Sequence, residues 1–149
     1  MSILFFRIPF VGLLSLSPDM SALLTVLWVI GMSTAINYID GLDGLASGAA
    51  MFALTTMFVV ATVNGQSGAA VLTIVLAGAT LGFLFFNFPP ASIFLGDSGS
   101  LFLGFMLAGI GLLSSQKSQT VVAVAIPVVS LGLPVLDTLL AIVLRFLRG

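Results

Sequence analysis

Cysteine, histidine and glutamate are all missing from the 149 residues. Without cysteine there is no disulfide and no thiolate metal site, and the redox compartment leaves no mark. Without histidine the usual general base and the usual transition-metal ligand are gone. Charge of either sign is scarce. Only 6% of the residues are charged, where a soluble domain carries about a quarter. An aqueous surface cannot be built from that, and with 60% hydrophobic residues the chain reads as an integral membrane protein. The formal net charge of −1 gives no basis for a nucleic-acid partner.

The few charges that are present mark out the spans. Every acid is an aspartate: Asp19, Asp40, Asp43, Asp97 and Asp137. Residues 20–39, 44–96, 98–116 and 118–136 carry none. A spanning helix needs about 20 apolar residues, so the second stretch holds two helices, divided at "NGQSG" (64–68). The expectation is an all-α, polytopic helical membrane protein with about five transmembrane helices, over 21–38, 45–63, 69–88, 100–115 and 120–147. The last contains Pro127 and Pro134 and is expected to kink. No domain boundary or repeat interrupts the chain, so 1–149 reads as one transmembrane domain with 1–19 as an interfacial or irregular lead-in. Its opening "MSILFFRIPFVGLL" looks superficially like a secretory signal. Arg7 interrupts the apolar run, no small-residue cleavage site follows, and Pro9 and Gly12 argue against a spanning helix.

Counting crossings places the loop after the first span, "NYIDGLDGLASG" (37–48), on the same side as "NFPPASIFLGDSGS" (87–100). Arg145 and Arg148 fall on that side, and Arg7 and Lys117 on the other, so the positive-inside rule leans only slightly to a cytoplasmic site. Asp40, Asp43 and Asp97 are thereby expected at one membrane face, beside Gly41, Gly44, Gly96 and Gly99. Carboxylates gathered without basic neighbours imply a hard cation, and few oxygen ligands suit Mg²⁺, which completes its shell with water and phosphate. Asn37 and Asn87 add polar groups at the inner ends of two spans, and Phe94 offers a planar ring a stacking surface. Plainer readings compete. Each aspartate could serve a turn or a helix cap, and each asparagine could bridge helices. Asp137, inside a span, is a functional candidate by default, and pairing with an arginine serves as well. Two other function classes stand beside an enzyme: a transporter or channel component, which would use the Asp-lined loops and broken helices, and a scaffold subunit without chemistry.

"NYIDGLDGLASG", "FFNFPPASIFLGDSGSLFLGF" (85–105) and "PVLDTLLAIVLRFLRG" (134–149), with "LTVLWVIGMSTAIN" (24–37) ahead of them, resemble the polyprenyl-phosphate N-acetylhexosamine-1-phosphate transferases of glycosyltransferase family 4. The match runs over roughly residues 20–149, and its last motif looks closer to the N-acetylglucosamine branch than to the muramoyl-pentapeptide branch. The resemblance implies transfer of N-acetylhexosamine 1-phosphate from a UDP-sugar to undecaprenyl phosphate, with release of UMP, in cell-envelope synthesis. It implies Mg²⁺, with Mn²⁺ as an alternative, a multi-pass protein of the inner membrane with cytoplasmic active-site loops, and it is compatible with a homodimer. By motif match Asp97 is the catalytic metal ligand. Asn37, Asp40 and Asp43 line the nucleotide side, Phe94 stacks on uracil, and Asn87 supports the nucleotide site. The family also has an adjacent Asp pair on an earlier loop, a histidine-bearing loop and roughly twice as many spans; this chain has no adjacent aspartates and no histidine. It therefore reads as a C-terminal portion, expected not to catalyse alone.

Overall fold

The computed structural model describes residues 5–8, 12–15 and 17–115. The fifth expected span, and with it Lys117, Pro127, Pro134, Asp137, Arg145 and Arg148, lies outside the described residues. Two short strands, β1 (Phe5–Ile8) and β2 (Gly12–Ser15), pair antiparallel with Phe5 opposite Ser15 and Ile8 opposite Gly12. The ladder lies within the stretch expected to be an interfacial or irregular lead-in.

Four helices follow: α1 (Pro18–Ile39), α2 (Leu45–Val63), α3 (Ser67–Asn87) and α4 (Gly96–Ser115). All four are long and apolar enough to cross a membrane, as expected of a polytopic helical membrane protein. Helix α1 starts earlier than its uncharged run because Ser17 caps Met20 N–H, Pro18 occupies the first turn, and Asp19 suits the positive end of the helix dipole. Helix α2 stops at a tight left-handed turn. Gly65 adopts φ +66°, its N–H bonds Thr62 O, and Gln66 N–H reaches back to Ala61 O.

The helices associate in two pairs, α1 with α4 and α2 with α3, and α2 and α4 join the pairs. Hydrophobicity cannot drive this in lipid, where tails are as apolar as leucine; close packing of small residues can. The α2 face that is buried accordingly reads Ala46, Ser47, Ala50, Ala53, Leu54, Met57 and Ala61. Between α1 and α4 the approach is closer still: a Cβ placed on Gly104 would lie 2.6 Å from Ser33 Cα and 2.7 Å from Met32 O. Trp28 Nε1 donates to Ala108 O across the same pair, 3.4 Å away. Outward, Val26, Ile30, Phe52, Val75, Phe85 and Phe102 are exposed, as lipid-facing side chains would be. Thr55, Thr56, Thr62, Thr73 and Thr80 donate their hydroxyls to carbonyls of their own helices, so none strands a donor in hydrocarbon.

Candidate active site

The C-terminal ends of α1 and α3 and the N-terminal ends of α2 and α4 meet at one end of the bundle, which brings the two expected loops together. On the α1–α4 side, Asn37 sits in the last turn of α1 and donates Nδ2 both to Asp97 Oδ1 at 3.2 Å and to Ser100 Oγ at 2.9 Å. Ser100 is fully buried and passes its own hydroxyl back to Gly96 O at 3.0 Å. The Asp97 carboxylate, exposed in the first turn of α4, thus has one oxygen oriented by a side chain from another helix. Asp40 caps α1 beside it. Partial burial pushes the Asp40 carboxyl above its ordinary value; a hydrogen bond from the Gly96 backbone pulls it down, and the neighbouring Asp97 charge adds to the rise.

The α2–α3 side is held differently. Asp43 Oδ2 accepts from Ala91 N–H at 3.0 Å, tying the α1–α2 loop to the α3–α4 loop. Asn87 is buried at the end of α3, where Oδ1 accepts from Gly44 N–H at 3.1 Å and Ser47 Oγ at 2.7 Å. Its Nδ2 donates to Ile93 O at 2.9 Å. Gly44 caps α2 in a left-handed conformation (φ +74°) that a side chain would strain. The α3–α4 loop folds back on its helix, with Ser92 N–H and Oγ both on Phe86 O, and lifts Phe94 out to 72% exposure.

The three acids therefore divide. Asp40 and Asp97 neighbour each other, while Asp43 is committed to a backbone amide. Among the described residues no group of three or more Asp, Glu, His or Cys side chains could together hold a metal ion. The donor set that does form, two neighbouring carboxylates of which Asp97 is exposed, suits a small hard cation completed by water and phosphate rather than one caged by protein. Ser100 and Ser47, which the sequence reading passed over, turn out to be the supports. Ser100 lies three residues beyond Asp97 on the same helical face, the one signal that pointed to it.

The family described as Glycosyl transferase family 4 matches residues 1–115. The chain belongs to glycosyl transferase family 4. It is 46% identical over 144 residues to the probable undecaprenyl-phosphate N-acetylglucosaminyl 1-phosphate transferase of Bacillus subtilis (strain 168), which covers 97% of this chain and 40% of that protein. It is 47% identical over 114 residues to the phospho-N-acetylmuramoyl-pentapeptide-transferase of Chlamydia trachomatis serovar L2, over 71% of this chain and 34% of the relative. The enzyme of that name from Desulforamulus reducens is 42% identical over 120 residues, 80% of this chain and 34% of its own. The chain thus spans 40% or less of the length of these relatives. Membership of this family speaks against the transporter reading, and the described acids agree, since each lies at a helix end or in a loop.

Proposed function

We propose that these loops form the nucleotide- and metal-binding part of an enzyme that transfers N-acetylhexosamine 1-phosphate from a UDP-sugar to a polyprenyl phosphate and releases UMP. One observation carries the reading: in a chain of family 4, Asn37, Asp40 and Asp97 are brought together at one end of the bundle, where the spanning helices give way to loops. On this reading the enzyme works at the inner membrane of a bacterial envelope, with the loops on the cytoplasmic side where nucleotide sugars are found.

Phosphoryl transfer asks a protein chiefly for positioning and charge stabilisation. Asp97 and Asp40 are the residues to hold Mg²⁺, or Mn²⁺ in its place; when bound, the ion neutralises diphosphate oxygens. Asn37 fixes the Asp97 carboxylate through Nδ2, and Ser100 fixes Asn37. Phe94, exposed on its loop, supplies a face for uracil. Asp43 and Asn87 hold the loop that carries it. An oxygen of the lipid phosphate attacks the phosphorus that bears the sugar, the bond to UMP breaks, and the sugar 1-phosphate stays on the lipid.

The test is equilibrium binding of UMP to the chain in lipid nanodiscs, with and without Mg²⁺. Saturable binding that needs Mg²⁺ and is lost in Asp97→Asn is the expected result. Asparagine keeps the size of the side chain and an oxygen to accept from Asn37 Nδ2, so the fold survives the exchange. Absent UMP binding, or equal binding by Asp97→Asn, overturns the proposal.

A further inference from the structure

At the end of the bundle opposite Asp40 and Asp97, Gln66 stands between α2 and α3 at 7% exposure. An amide side chain is costly to bury in a membrane protein unless its polar atoms are satisfied. Most of those of Gln66 are. Its backbone N–H bonds Ala61 O, its backbone carbonyl accepts from Ala70 N–H, and Nε2 donates to Ser114 O at 3.0 Å. Ser114 O belongs to the last turn of α4, where carbonyls lack a donor from their own helix, so Gln66 closes that helix from outside. The bond also settles which end of the amide is which, because turned over it would set two oxygens face to face. Oε1 is therefore an acceptor, and it has no hydrogen-bond partner among the described residues. The hydroxyl of Ser114, the residue that Nε2 holds, is 8% exposed and has none there either.

An acceptor and a hydroxyl left unpaired in one buried residue pair each cost stability. Their partner must donate to Oε1 and either donate to or accept from Oγ. Both groups are neutral, so an ion would find nothing to offset its lost hydration. At this burial a lipid headgroup cannot reach them. Water meets both conditions, and buried waters with two to four polar partners occur about once in 27 residues. We infer that Gln66 and Ser114 hold a buried water molecule, which donates to Gln66 Oε1 and bonds Ser114 Oγ. A bridge then stands beside the direct bond from Nε2, and the α2–α3 turn is held to α4 at two points instead of one. The nucleotide reading has no part in this, since Asn37 and Asp97 lie at the other end of α1 and α4.

Two measurements test the bridge. The first is solid-state nuclear magnetic resonance of the chain in bilayers, with polarisation transferred from water. Gly-Gln occurs once in the sequence, at 65–66, so labelled glycine and glutamine single out the signals of Gln66. A long-lived water contact to its side-chain amide is expected, and it should be lost in Ser114→Ala. The second is a double-mutant cycle of Ser114→Ala with Gln66→Met in detergent unfolding. Ser114→Ala leaves the backbone carbonyl of residue 114 in place, so coupling between the two exchanges reports on the hydroxyl, and the helix propensity of alanine cancels. The unfolding constant of the double variant should depart from the product of the single effects by about threefold or more. Independent effects overturn the inference, and so does a water contact that is absent or that survives Ser114→Ala. Coupling without a water contact means that Ser114 Oγ bonds Oε1 directly, which overturns it equally. Should Gln66→Met fail to fold, the water contact and its response to Ser114→Ala decide alone.

Discussion

Replacing Gly104 by alanine tests how the α1–α4 pair controls the site. The added methyl would lie 2.6 Å from Ser33 Cα and 2.7 Å from Met32 O, both backbone atoms that cannot swing aside. Ordinary contact begins near 3.4 Å, so the helices must part by about 0.8 Å along that line. One turn nearer the site, Asn37 Nδ2 and Ser100 Oγ are 2.9 Å apart. A separation carried through undiminished takes that pair beyond hydrogen-bond range, and Asp97 loses its oriented partner. Overpacking of this kind costs about 1–3 kcal/mol, against which the better helix propensity of alanine returns up to about 1 kcal/mol. Gly111→Ala on the same helix is the matched control: its methyl meets Met57 Cε at 3.7 Å and Trp28 Cζ2 at 3.9 Å, ordinary contacts. Unfolding by titration of denaturing detergent into lipid micelles should find Gly104→Ala destabilised and Gly111→Ala neutral or stabilised. Equal stabilities for the two variants would refute the argument.

Two further outcomes follow from the loops. Phe94→Ala should weaken uridine nucleotide binding by about 1–3 kcal/mol, the usual worth of stacking on a base, and leave the Mg²⁺ requirement unaltered; unchanged affinity in a titration would leave Phe94 as an exposed apolar side chain only. Gly44→Ala forces a side chain into a left-handed backbone at φ +74°, a strain of about 1–3 kcal/mol; a detergent-unfolding midpoint equal to wild type would show that the turn relaxes at no cost.

The spans were legible because a charge cannot sit inside hydrocarbon without a reason. Uncharged stretches therefore predicted 45–63, observed as Leu45–Val63, and 69–88, observed as Ser67–Asn87. Helix α1 was misjudged by three residues at its start, since Asp19 was read as a boundary when it is a favourable first-turn acid. That the two loops share an end followed from parity of crossings. What each aspartate does there did not follow: Asp40 and Asp43 stand in the same Asp-Gly setting, and only the path of the distant 88–95 loop brings an amide to Asp43, while the start of α4 brings Gly96 and the Asp97 charge near Asp40. The Gly104 contact was equally hidden, because a glycine in an apolar helix looks the same whether it faces lipid or a backbone.

The pairing of the helices has a mechanical consequence. The Asn37, Asp97 and Ser100 bonds lie wholly between α1 and α4, and the Asn87, Gly44 and Ser47 bonds wholly between α3 and the start of α2. Each pair can then behave as a plate carrying its own intact cluster, with the seam between α2 and α4 as the line along which plates slide. Sliding would leave the bonds within each cluster intact, and Gln66 Nε2, which donates to Ser114 O at 3.0 Å from the start of α3 to the end of α4, is the tie that resists it. Bilayer thickness acts on such a seam at a modest cost for each ångström of mismatch, and the Gln66–Ser114 tie, at the end of the bundle away from Asp97, is where that load falls.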